Sequence, residues 1–536
     1  MSLRKVDGRT TKRSGQAFKL VVALSLVGGL AIAASTSALA GTKSHARKAA
    51  ASSQPRRGGS ITYVQAGLQW SNLDPGTSPL ISSAAIIFNS LYDSVFNTDP
   101  KGDILPGLAN GYSISKNRLA ITITLRSGVQ FSDGTPLNAQ ALVFNLTRDD
   151  APTCQCYTGI SAMSSAVATG KYTVVVHLSY PSSVFLHALA LGGGAAYLVS
   201  PTAFQKEGAA NFQTAPVGAG AFVISQNLVN SQLVLARNPK YWDKPHPYLN
   251  HLTIISTGSD AASYASLQGH TAQMMQTGDY PTEQEARANR SIQAHVLPPT
   301  TFNYVNPQTT RAPFDNLVAR EALFEAIDQK AIVQDLTLGY AKAGEGMIAP
   351  GELYYPGPKV KGFLSYNPTD AAAKVKQVGG LSFTFFDCGT ATPAVQQLTS
   401  ALATMWEAVG MNVTIQNYSH VQAIGYLNSG NFQVDVCGYG GAIDPALTTA
   451  AWISYPTAFN AGSYNDPLVD QLCQRAAQTF NGAQRASLYL QALVKVNQDA
   501  AYYPLYYSTT YDFGSPSIRG WGNLPFLQFG NLWLAR

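Results

Sequence analysis

The sequence predicts a mixed α/β protein with more than one lobe, and three observations support this. Its 536 residues exceed what one hydrophobic core serves, so two or three domains are expected. Segments with period-2 apolar alternation, the mark of half-buried strands, interleave with segments of helical spacing. No fixed strand-helix-strand period governs the interleaving, which favours mixed sheets over one parallel sheet. Apolar residues make up 46 % of the chain, ample for large cores, whereas charged residues make up only 12 %. That balance excludes a solvated disordered chain or a charged coiled coil.

The N-terminus comes first in chain order. Arg4, Lys5, Arg9, Lys12, Arg13 and Lys19 precede an apolar run at 20–34, and Ala38-Leu39-Ala40 follows as a small-residue cleavage site. This is the pattern of a secretory signal over 1–40, either cleaved or retained as an anchor. No Cys follows the run, so a lipoprotein lipobox is missing, and no adjacent Arg pair precedes it. Residues 41–57 are small, basic and aperiodic, as expected of a flexible tether. Residues 1–57 hold eleven Lys or Arg and one acid, whereas 58–536 hold 25 basic and 29 acidic residues, net −4. The body is mildly acidic, so nucleic acid is not an expected partner.

Further along, Leu119, Ile121, Ile123 and Leu125 alternate with polar or small residues and predict a half-buried strand. Tyr172, Val174, Val176 and Leu178 repeat the pattern and put His177 on the opposite face. Residues 231–236 form a third strand after the turn at Gly218 to Gly220. Val318, Ala322, Leu323, Ala326 and Ile327 have helical spacing, as do Leu488, Ala492, Leu493 and Val496. Asp133-Gly134-Thr135-Pro136 reads as a turn, with Asn138 placed to cap the helix after it. Five Cys in an exported chain allow disulfides and leave at least one unpaired. Cys388 and Cys437 each end a strand-like run, so a bond between neighbouring strands is reasonable; Cys154 and Cys156 either close a small loop or stay as thiols.

Catalytic templates are missing. There is no GxxxxGK[ST], no complete dinucleotide fingerprint and no GxSxG elbow, and the eight His form neither HxH nor HExxH. Neither catalysis, a metal nor a cofactor is therefore expected. The 27 Tyr, 22 Phe and 6 Trp, mixed with amides and hydroxyls, suit a ligand pocket, although most aromatics serve cores.

Several segments then stand in a telling order: GGSITYVQAG with Leu73-Asp74-Pro75, then IFNSLYDSVFNTDPKGDILPGLANGYSIS, then LRSGVQFSDGTPLNAQALVFNLTR. PVGAGAFVIS, LARNPKYWDKPHPYLN, APFDNLVAREALFEAIDQKAIV, FNAGSYNDPLVDQL and AYYPLYY follow. In this order they resemble the family 5 extracellular solute-binding proteins of bacterial ABC importers, a family that includes dipeptide, oligopeptide and nickel binders. The resemblance implies a two-lobed periplasmic-binding-protein-like fold of type II with an extra domain, its mixed sheets flanking an interlobe cleft. Lobe I is expected at 58–87, 181–302 and 506–536, the inserted domain at 88–180 and lobe II at 303–505, with hinges near 302–306 and 504–507. The implied function is to capture a solute, an oligopeptide above all, and deliver it to a membrane permease. The implied protein is an exported monomer, periplasmic or on the outer face of the cytoplasmic membrane. An envelope receptor for a non-peptide solute such as an oligosaccharide, or an envelope hydrolase, are the alternatives.

The family's peptide binders commonly place an Asp after a Trp-x-Ala-like stretch to pair with the ligand ammonium. Here the stretch reads VCGYGGAIDPALTTAAW, with Tyr439 as its aromatic and Gly441-Ala442 at the acidic position. Either Asp444 takes the role or the ligand amine is absent or blocked, because an unpaired charge in a closed cleft is costly. The resemblance places Gln65, Trp70, Tyr304, Tyr439, Asp444, Trp452, Asn460 and Tyr464 at the cleft. The His pattern does not suit nickel.

Overall fold

A computed structural model describes residues 54–78, 84–151, 154, 156–195, 197–389, 392–440, 442–454, 457, 459–522 and 527–535. The signal segment, most of the tether and Gly441 lie outside the described residues. Among the described residues, no helix is long and apolar enough to cross a membrane.

Two sheets organise the chain. In the seven-stranded sheet the order is Gln293–Val296, Tyr511–Gly514, Met274–Thr277, Ser60–Ala66, His251–Thr257, Gln232–Arg237 and Phe222–Leu228. Ser60–Ala66 runs parallel to both of its neighbours, and the outer pairings are antiparallel. Its Ile61, Tyr63 and Val64 are buried, as a central strand covered on both faces requires. The six-stranded sheet runs Lys342–Ala343, Tyr503–Ser508, Thr301–Pro307, Val434–Tyr439, Ser382–Asp387 and Asn412–Ile415. The chain crosses from sheet to sheet at 297–300 and 509–510, just outside the expected 302–306 and 504–507. The difference arises because Thr301–Pro307 and Tyr503–Ser508 pair along their whole length inside the second sheet.

A third, four-stranded antiparallel sheet is built from Ala109–Ile114, Ala120–Leu125, Thr173–Leu178 and Met163–Ala168. Ile121 faces Val176 and Ile123 faces Val174, so the two alternating segments bury one shared face and His177 stands exposed on the other. The helix Ala139–Asp149 begins where the Asn138 side chain accepts the Ala141 N–H, a cap worth about 1 kcal/mol. This core continues past 180, because Phe185, Leu186, Ala188 and Leu189 pack into it.

The structure bonds Cys388 to Cys437, with a Cα separation of 5.2 Å, where Ser382–Asp387 and Val434–Tyr439 lie side by side. Cys154 is bonded to Cys156, and Cys473 is a buried free thiol. The first bond closes a loop of about 50 residues, for which chain entropy predicts a contribution of about 4 kcal/mol. Replacing Cys437 by Ser is expected to lower the free energy of unfolding read from urea titration by an amount of that order. A reductant should reproduce the loss in the wild type but add little to the variant.

Candidate functional site

A cleft of about 440 Å3 opens between the two large sheets. That size lies within the range of small-molecule sites. From the first sheet Gln65, Ala66, Gln276 and Thr277 reach it, each at the C-terminal end of a strand. From the second sheet come Thr301, Asn303, Asp387, Gly438 and Tyr506. Tyr280 and Tyr506 meet across the opening, with ring centroids 6.5 Å apart in an edge arrangement. The walls thus mix amides and hydroxyls with aliphatic side chains such as Leu336, Val395 and Leu398, and carry two aromatic faces.

Three carboxylates line the cleft. Asp260, at the first turn of the helix Asp260–Gln268, accepts the Thr277 hydroxyl at 2.6 Å. Asp279 caps Tyr280–Ala288, taking the Thr282 N–H at 3.0 Å and its hydroxyl at 2.6 Å. Helix N-termini suit both negative charges. Asp387 ends the strand Ser382–Asp387 and, among the described residues, accepts only the Gly389 N–H, at 2.7 Å. Burial pushes its carboxyl up to about 7, against that one hydrogen bond. The next carbonyl, that of Cys388, accepts from His420 Nδ1 at 2.6 Å. Behind the first wall, Gln276 donates to the fully buried Asp512 at 3.1 Å, and burial raises that carboxyl to about 7.

A second interlobe contact involves Asp444. It is fully buried and bound bidentately by Arg485, at 2.6 and 2.9 Å. His187 Nδ1 lies 3.0 Å from Oδ2, the oxygen that Arg485 Nη1 also contacts, while its Nε2 is 2.9 Å from the Gly102 carbonyl. A carbonyl only accepts, so Nε2 carries a proton, and Nδ1 faces a carboxylate comfortably only when protonated as well. Burial alone would lower the His187 pKa, but Asp444 outweighs it and the value is raised. Burial would likewise raise Asp444, yet the Arg485 guanidinium and His187 hold it well below the usual carboxylate range. Glu352, Tyr354 and Tyr489 surround the cluster, with Glu352 pushed up to about 8 chiefly by burial. Arg118 stacks over Phe480 at 4.3 Å, and Ser183 donates to the Ala477 carbonyl at 2.9 Å, adding to the same seam.

Of the residues that the sequence placed at the cleft, Gln65 lines it. Trp70 is buried in the first core, its indole N–H on Asn227 at 2.9 Å. Tyr304 and Trp452 pack against each other in the second core, and Tyr439 is half-buried against Trp452. Asn460 closes a local turn, accepting the Tyr464 N–H at 3.0 Å and donating to its carbonyl at 2.6 Å. Tyr464 gives its hydroxyl to Asp499 at 2.6 Å. Asp444 cannot face a ligand ammonium here, because Arg485 and His187 already occupy its oxygens. Asp387, Gln276, Asn303, Tyr280 and Tyr506 escaped the sequence reading. The signal available for some of them was position, since ligands of α/β sheets gather beyond the carboxyl ends of strands.

Two sheet-centred lobes, joined by two short crossings around one cleft, define a solute-binding protein of the periplasmic type. The profile described as bacterial extracellular solute-binding proteins, family 5 Middle, matches residues 103–461, and the chain belongs to that family. It is 27 % identical over 491 residues to the glutathione-binding protein of Escherichia coli K12, covering 87 % of this chain and 92 % of that one. In fold it matches a periplasmic binding protein of Helicobacter pylori in complex with the peptide STSA. That match has a TM-score of 0.80 and 20 % identity, covering 90 % of this chain and 99 % of the other. A binding protein from A. tumefaciens R10 in complex with agropinic acid matches at a TM-score of 0.79 and 20 % identity, covering 89 % and 99 %. The family is one of binding proteins rather than enzymes.

The charge cluster gives two expectations. The raised His187 pKa means that its contribution is complete below the free-histidine value of about 6.5 and is lost as pH rises through the raised value. The difference in melting temperature between the wild type and His187→Ala should therefore be largest near pH 6 and shrink toward pH 9. Arg485→Ala strands a buried carboxylate, and urea unfolding at neutral pH should show a loss of about 3–5 kcal/mol.

Proposed function

We propose that the chain is the extracytoplasmic substrate-binding component of an ABC importer, and that it captures a small peptide-like solute between its lobes. The observation that carries this reading is the cleft of about 440 Å3, lined by amides, hydroxyls and aliphatic and aromatic side chains and walled by two sheets that only two short crossings connect. Such a connection lets the lobes part and close about the crossings, and closure excludes water from the bound solute. The closed form is what a membrane permease distinguishes from the empty one. Amides and hydroxyls from Gln65, Gln276, Asn303 and Ser508 supply donors and acceptors for a peptide-like backbone, and Tyr280 and Tyr506 supply apolar faces. The basic and apolar N-terminus directs export, the protein acts as a monomer, and the solute leaves it chemically unchanged.

Native mass spectrometry of the chain, purified gently from an envelope fraction, tests the reading. Adducts that dissociate on denaturation and carry peptide-like masses are expected. A hexose-spaced series would replace the peptide with a glycan, and incubated peptides returned cleaved would replace transport by hydrolysis.

A further inference from the structure

The charges of the cleft are one-sided. Asp260, Asp279 and Asp387 line it; the one basic side chain there among the described residues is the His420 imidazole, whose Nδ1 is taken up by the Cys388 carbonyl, and no Lys or Arg lines it. Asp260 and Asp279 are already committed, each to a hydroxyl and to the N-terminal end of a helix. Asp387 differs. One of its oxygens takes the Gly389 N–H, and among the described residues no Lys, Arg or His forms an ion pair with it. The residue's backbone is held firmly, because the next residue is bonded to Cys437 and its carbonyl anchors His420. A half-buried carboxylate on a fixed support, with no counter-ion, is satisfied either by a proton or by a cation, and a bound ammonium supplies the second.

Resting on the importer reading, we propose that this cleft selects solutes that carry a cationic amine and place no carboxylate inside it. Asp387 is the specificity-determining counter-charge. An ammonium satisfies Asp387 with a charge-assisted hydrogen bond at the moment both lose water. A ligand carboxylate in the same cleft meets three negative side chains and no guanidinium or ammonium. Glutathione, with two carboxylates and one ammonium, therefore fits this chain poorly, even though the E. coli K12 relative is named for binding it. The class that fits is a diamine, or a peptide-like solute whose C-terminus is amidated or otherwise blocked.

The test uses the whole exported chain at pH 8, calorimetry and thermal shift, and four probes. These are putrescine, alanyl-alanine amide, its N-acetylated form and glutathione. Binding of putrescine or the amide is expected, with the acetylated form and glutathione weaker by about 10- to 100-fold, the span of one or two lost charge-assisted contacts. D387N should weaken the amine probe by a similar factor, and D387E should restore part of it. The empty D387N protein should melt at or above the wild type, because an unpaired buried charge has been removed, whereas a structural Asp would give a lower melting temperature. Equal binding of the amine probe by D387N, or glutathione binding as tightly as the amide, overturns the inference and leaves the importer reading intact. If none of the four binds, the co-purified adduct decides. One with a free amine and no carboxylate supports the inference, and one with a free carboxylate, with or without an amine, overturns it. Absence of both probe binding and any adduct sinks the importer reading and the inference with it.

Discussion

One buried carboxylate ties together four separated parts of the chain. Asp444 lies in the loop after Val434–Tyr439, Arg485 on the helix Gly482–Gln498, His187 on the helix Phe185–Ala188, and Gly102 in the turn before the four-stranded sheet. Burying Asp444 without Arg485 would cost several kcal/mol, so the pair dictates where that helix lies against the loop. His187 then brings the first lobe onto the second, with the Gly102 carbonyl fixing its ring. Gly102 itself packs so closely on Leu353 that an added Cβ would fall 2.6 Å from Leu353 Cδ1. The seam at Arg118–Phe480 and Ser183–Ala477 follows from the same approach. The lobes are thus tied to one another by charge at residues that do not line the cleft, while the cleft itself retains space.

The fold was largely legible. Period-2 alternation located Ala120–Leu125 and Thr173–Leu178, and helical spacing located Leu317–Glu325 and Gly482–Gln498, because both patterns are set by which face is buried. The crossings between sheets were misplaced by a few residues. Nothing in the local pattern says in which sheet a buried strand such as Tyr503–Ser508 will find its partners.

The site was much less legible, for two physical reasons. Large aromatics bring more apolar area than polar handle, so Tyr304, Trp452 and Trp70 were drawn into cores, where they bury that area. Charge pairing over long sequence distances was invisible: Asp444 is 41 residues from Arg485, and no spacing rule links them. Asp387 was hidden for the opposite reason. An Asp before Cys-Gly reads as ordinary turn chemistry, and only three-dimensional placement shows that it faces the cleft without a cation.

The bond between Cys388 and Cys437 has a consequence for when the protein becomes competent. Cys388 is itself part of the cleft wall, next to Asp387, and the bond pins two parallel strands at the point where both end in the cleft. Thiols of the cytoplasm stay reduced, and this bond forms only in an oxidising compartment. A chain still on the reducing side would therefore have an unpinned wall, and ligands abundant there would find an ill-defined partner. Under the export proposed above, oxidation outside the cytoplasm completes the wall, so the protein matures where its ligand is to be collected.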